Sequence, residues 1–261
     1  MPVSIVLVPG SFTSPSFYEE IFQPLITKRY DIHAVDLKTV IPKGPDSPDP
    51  PLPTAHDDAT AIAEVVTKLA DQGKDVIVIA HSYGGTPASE SIEGLSREAR
   101  KSQGKEGGVV RLAYISALVP EVGKTAGSVS EGLDGGQVAF NVDANGWMSV
   151  PDIEGLVNTT FSDVEPRELA EKWADRIERH ALAAFDSNLA YAGYNDVPVS
   201  WLFLENDKMV SPTVQREGIE VIERTSSRKV DVTSIKTGHC PHVMALEDVL
   251  SWIEDLVRKC Q

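Results

Sequence analysis

Ser82 is the residue whose surroundings most invite chemistry. It sits in VIVIAHSYGG, residues 76–85, where a buried apolar run leads straight into Ala80-His81-Ser82-Tyr83-Gly84 and a helix-compatible stretch follows. A strand that turns sharply into a helix lifts the central hydroxyl clear of the sheet. The helix N-terminus then points its positive dipole and free N–H groups at the same spot. Only small residues fit two places before and two places after such a serine; Ala80, in place of the more usual Gly, and Gly84 meet that demand. A serine hydroxyl becomes a nucleophile once a base takes its proton. His239 is the candidate base, in the loop Thr237-Gly238-His239-Cys240-Pro241 that follows the last strand, and His242 is its rival. His33, His56 and His180 fall in the wrong order or element, and His81 is expected to turn into the packing. A base of this kind needs an acid to fix its tautomer. Asp207 lies just past the apolar run Val199–Leu204 and is preferred over Glu205 and Glu121.

Acyl-transfer chemistry also needs two backbone N–H groups aimed at a developing oxyanion, each worth ~10²–10³ in rate. Tyr83, next to Ser82, is one candidate donor. The other comes from Val8-Pro9-Gly10-Ser11-Phe12, with the Ser11 N–H first choice and Phe12 second. Phe12, Tyr83, Trp147, Phe161 and Tyr191 are the candidate substrate contacts.

These residues need a sheet to position them. Short apolar runs at 3–8, 76–80, 112–116 and 199–204 read as parallel strands buried on both faces. Residues 30–35 are a weaker strand and 229–235 the last one. Residues 59–70 and 246–257 carry amphipathic helical stripes. The alternation predicts an α/β fold with a doubly wound, mostly parallel sheet. Residues 41–53 hold six prolines and read as a surface loop. The long break at 120–196 has helical patches at 151–158 and 166–180, and reads as a helical cap inserted between core segments 1–119 and 197–261.

The chain has 261 residues, with 24 Lys and Arg against 39 Asp and Glu, for a formal charge of −15. That balance argues against nucleic acid and anionic membranes as partners. Cys240 and Cys260 form neither a disulfide framework nor a metal pattern. No signal-like or membrane-spanning stretch is seen, so a soluble cytoplasmic protein is expected, with a homodimer left open.

The segments LVPGSF, IAHSYGG, LFLENDKMVSP and TGHCPHVMALEDV, in this order, resemble the α/β-hydrolase superfamily over essentially the whole chain. Within it the chain looks like the small, cofactor-free group of plant methyl esterases, hydroxynitrile lyases and microbial esterases. The resemblance implies a carboxylic-ester hydrolase, or a lactonase, that works without cofactor or metal on a small-molecule ester. Lyases of this group carry Thr in the first oxyanion loop and Lys after the catalytic His, whereas Gly10 and Cys240 stand in those places here. Some members of the fold act as small-molecule receptors or as non-hydrolytic catalysts, which is the alternative reading.

Overall fold

The computed structural model describes residues 3–130 and 138–261. Its main sheet holds six strands: β1 (Val3–Val8), β2 (Asp31–Ala34), β4 (Asp75–His81), β5 (Gly108–Ile115), β9 (Val199–Leu204) and β10 (Asp231–Ile235). They lie in the order β10-β9-β5-β4-β1-β2, and every neighbouring pair is parallel. Four other short strands, β3 (Val40–Ile41), β6 (Asn141–Val142), β7 (Trp147–Ser149) and β8 (Arg179–Ala181), form a separate antiparallel sheet.

Alternate side chains sort to the two faces of the main sheet. Val6, Val8, Val76, Val78, Ala80, Tyr114 and Trp201 join one core, and Ile5, Leu7, Ile77, Ile79, Ala113, Ile115, Leu202 and Leu204 join the other. Helices cover both faces, which is why the central strands carry no polar alternation. The C-terminal helix Leu246–Cys260 buries Val249, Leu250, Trp252, Ile253, Leu256 and Val257 against the second core.

Chain order sets where the site lies. From β1 the chain moves outward to β2, then returns to lay β4 on the other side of β1. The crevice beyond the C-terminal ends of these two strands is the switch point where open α/β sheets bind ligands. The register Val8↔Ala80 places the loop after β1 beside Ser82.

The segment 120–196 departs from a purely helical cap. It has helices Ile153–Asn158 and Arg167–Ala174, but it also supplies β6, β7 and β8. Strand β8 pairs with β3, so the proline-rich stretch starting at Ile41 begins in a strand rather than entirely in loop. His180, at the end of the expected helical patch, is a strand residue.

At Gly84 a Cβ would come within 2.4 Å of Pro9 O and 3.0 Å of Val8 O. The turn can therefore touch β1 only with glycine there. Gly84→Ala is expected to lower the thermal midpoint by more than 8 °C or to leave the protein insoluble; a midpoint within 2 °C of wild type contradicts this packing.

Candidate active site

Ser82 opens the short helix that follows β4 and has φ +54°. This left-handed conformation is unfavourable for a non-glycine residue and throws its side chain toward the crevice. The turn is held from behind. The Ser82 carbonyl accepts the Leu118 N–H at 2.9 Å, and Thr86 Oγ1 donates to Leu118 O at 3.0 Å.

His239 spans the gap between the serine and a carboxylate. Its Nε2 lies 3.0 Å from Ser82 Oγ and its Nδ1 lies 2.7 Å from Asp207 Oδ2. Asp207 also accepts from Met209 N at 2.7 Å, Val210 N at 2.9 Å and Ser116 Oγ at 2.6 Å. With its acceptor sites so filled, the carboxylate is fixed in one orientation, and it holds the proton of His239 on Nδ1. The unprotonated Nε2 is then free to accept the serine proton.

The rival residues lie elsewhere. Glu121 is ion-paired with Arg224 at the surface, and Glu205 is exposed. His242 is packed among Phe17, Tyr18 and Trp173. His33 and His56 pair with Asp31 and Glu90.

His81 is buried, lines the cleft beside Ser82 and makes two contacts through its ring. Its Nε2 donates to His239 O at 2.8 Å, so its Nδ1 accepts the Tyr18 hydroxyl at 2.8 Å. The Tyr18 oxygen in turn accepts the Gly10 N–H at 2.9 Å. This buried line fixes both the base loop and the loop after β1.

Of the two candidate donors in that loop, the Phe12 N–H is already engaged, with His180 Nδ1 at 3.3 Å. The Ser11 N–H has no partner among the described residues. The Tyr83 N–H lies in the first turn of its short helix, where such groups lack an intrahelical acceptor.

A cleft of about 510 Å³, counting the part open to solvent, runs from Ser82 under the segment 120–196. Its walls are mainly apolar, including Phe12, Phe17, Val138, Phe140, Leu156 and Ile177, and no Asp, Glu, Lys or Arg lines it among the described residues. Phe12 stacks on Phe140 at 5.6 Å between ring centroids.

Four expected substrate contacts are placed differently. The Tyr83 ring points to the opposite face, and its hydroxyl donates to Asp58 Oδ2 at 2.9 Å. Trp147 donates its indole N–H to Pro48 O at 3.1 Å. Phe161 is buried and packs against Phe17. Tyr191 bonds Asp196. None of the four lines the cleft, because each polar tip is satisfied, or the ring buried, on another surface. The sequence reading missed Ser116, Tyr18 and Thr160. Ser116 could have been found, since it ends the strand beside β9. Thr160 lines the cleft and its hydroxyl has no partner among the described residues.

The Alpha/beta hydrolase family model matches residues 5–252. The chain belongs to the alpha/beta hydrolase family. It is 32% identical over 238 residues to "Probable hydrolase R7" of Phoma sp., covering 91% of each chain. Among solved structures it resembles polyneuridine aldehyde esterase, with TM-score 0.68, 16% identity and coverage of 98% of this chain and 100% of the other. It likewise resembles tomato methylketone synthase I, with TM-score 0.73, 15% identity and 100% coverage of both chains. No helix among the described residues is long and apolar enough to cross a membrane.

Burial pulls His180 and His242 down to about 3 and holds His81 well below the ordinary imidazole range. Unfolded, all three titrate near ~6.5. Between these values the unfolded chain binds the extra protons, so this contribution is intact above pH ~6.5 and is lost as pH falls toward 3. Burial raises Asp58, whose opposite sign offsets part of the loss. His180 and His242 are each expected to remove roughly 1–2 kcal/mol of stability by pH 5, and His81 acts in the same direction. Thermal melts from pH 7 to 4 should show a steady fall, less steep in His242→Phe; a flat profile contradicts neutral buried imidazoles.

Proposed function

We propose that this protein is a carboxylic-ester hydrolase in which Ser82 is the nucleophile, His239 the general base and acid, and Asp207 the acid that orients it. The observation that carries this reading is the His239 ring, in contact with Ser82 Oγ on one side and Asp207 Oδ2 on the other. Ser82 Oγ attacks the acyl carbon as its proton passes to His239 Nε2. The carbonyl oxygen becomes an oxyanion, received by the Ser11 and Tyr83 N–H groups. His239 then gives its proton to the leaving alcohol, which leaves an acyl ester on Ser82. Water, deprotonated by the same nitrogen, releases the acid and restores the serine. Every step uses groups of this chain or water.

Described walls without an Asp, Glu, Lys or Arg favour a neutral, largely apolar ester, because a charged group would lose its hydration against them without gaining a partner. A lactone fits the same chemistry. Cyanide elimination is disfavoured, since the Cys240 thiol beside His239 is buried, which pushes its ionisation up and keeps it neutral. A small-molecule ester as substrate, with no nucleic-acid or membrane partner, agrees with the charge of −15.

Neutral p-nitrophenyl and aryl methyl esters are expected to be hydrolysed at least about 10-fold faster than analogues carrying a carboxylate in the acyl chain. Ser82→Ala should abolish turnover, by roughly 10⁴-fold or more, while the circular dichroism spectrum is kept. A fluorophosphonate should modify Ser82 in the wild type. Wild-type rates in Ser82→Ala, or modification at another residue, would overturn the assignment.

A further inference from the structure

One buried chain of polar groups lies outside the Ser82–His239–Asp207 line. The Phe12 N–H donates to His180 Nδ1 at 3.3 Å, and His180 Nε2 lies 2.8 Å from Thr39 Oγ1. Thr39 bonds Asp58 twice, from Oγ1 to Oδ2 at 2.5 Å and from its N–H to Oδ1 at 3.1 Å. The Tyr83 hydroxyl donates to the same Asp58 Oδ2 at 2.9 Å. His180, Thr39, Asp58 and Tyr83 are all fully buried.

The protons in this chain can run in only one direction. An amide N–H donates, so His180 Nδ1 must be the acceptor. The ring proton is then on Nε2 and goes to Thr39 Oγ1, whose own proton goes to Asp58. Asp58 ends the chain, accepting from both Thr39 groups and from Tyr83. A buried network satisfied throughout is stiff, and removal of one member leaves others unpaired.

The two ends of the chain matter for chemistry. Phe12 adjoins Ser11 and Tyr83 adjoins Ser82, so the chain ties together the two backbone segments that offer N–H groups to the oxyanion. The His180 ring also packs edge-on against both side chains, 5.2 Å from Phe12 and 4.7 Å from Tyr83. Phe12 sits at φ +60°, which needs outside support in a residue of this size. On the other side of Ser11, Gly10 is held by Tyr18 and His81. Ser11 lines the cleft, so its N–H lies there between two pinned neighbours. His180 belongs to β8, so it reaches the loop from the segment that covers the cleft.

We propose that His180 is a positioning residue for the oxyanion loop: by accepting the Phe12 N–H it aims the Ser11 N–H, and it couples the cover over the cleft to the oxyanion hole. This rests on the ester-hydrolase reading above. Its consequence is that the cover contributes to transition-state stabilisation as well as to substrate contact.

The test uses two substitutions at position 180. His180→Phe keeps a ring among Phe12, Tyr83 and Phe185 but loses both nitrogens. His180→Asn keeps an acceptor near the Nδ1 position. Active sites are counted by fluorophosphonate titration, and rates on a neutral p-nitrophenyl ester are expressed per titrated site. In His180→Phe, kcat is expected to fall about 10- to 100-fold, less than the loss of a whole donor, with KM within about 3-fold. Affinity for a trifluoromethyl ketone, which forms a tetrahedral oxyanion on Ser82, should weaken by a similar factor. His180→Asn should recover about half of the loss on a logarithmic scale.

A purely structural residue would instead lower the number of titratable sites and leave kcat per site unchanged, and that result overturns the inference. If His180→Phe does not fold, Thr39→Val breaks the next link and should show the same split between kcat and KM; an unchanged kcat per site there also overturns it. Should the wild type be modified at Ser82 but turn over no ester, the phosphonylation rate replaces kcat in the same comparison. A wild type that neither turns over esters nor is modified refutes the ester-hydrolase reading and this inference together. An active wild type with an equally active His180→Phe refutes only the inference.

Discussion

Ser82 is held at φ +54°, a conformation that costs a non-glycine residue on the order of 1–3 kcal/mol. The rest of the site depends on that strain being maintained. Gly84 lets the turn close against Pro9 and Val8, and the parallel pairing of β1 with β4 brings the Gly10–Phe12 loop alongside. Leu118, from the end of the neighbouring strand, closes the turn through the Ser82 carbonyl. Three adjacent parallel strands thus meet at one residue. A local turn sequence alone could not keep the serine there.

Around that turn, hydrogen bonds run in defined directions because several imidazoles are kept neutral by burial. His81 and His180 each accept on Nδ1 and donate from Nε2, one bracing Gly10 and the base loop, the other bracing Phe12. His239 differs in having a carboxylate on Nδ1, where its proton is held, so that Nε2 faces the serine as an acceptor. In the proposed mechanism the same ring type therefore serves as a brace in two places and as a base in one. What separates them is the group opposite Nδ1: a donor for the braces, an acceptor for the base.

Much of this was legible in the sequence, for physical reasons. Strands buried on both faces leave continuous apolar runs, and β1 and β9 have the expected ends. The serine turn and the Asp207 loop each follow such a run, the His239 loop follows the half-polar edge strand β10, and the folded chain brings the three together. His180 was not legible. It lies in a three-residue strand whose partner, Val40–Ile41, is about 140 positions earlier, and no local periodicity reports such a pairing. Thr39 and Asp58 were hidden for the same reason. Tyr83 shows another limit: its position next to the serine indicates where its backbone N–H lies, whereas its side chain crosses to the opposite face of the sheet. Aromatic composition in the segment 120–196 indicated a covering surface but not which rings point inward, and Trp147, Phe161 and Tyr191 point elsewhere.

The central claim is covalent catalysis at Ser82, and an acyl-enzyme is its most direct signature. Wild-type protein mixed with excess p-nitrophenyl ester in a stopped-flow instrument should release a burst of nitrophenolate close to one equivalent per active site. Quenching at the end of the burst, followed by peptide mass spectrometry, should find the acyl mass on the peptide containing Ser82, at that residue. A linear time course with no acyl adduct, or an adduct on Cys240 or another side chain, would contradict the account.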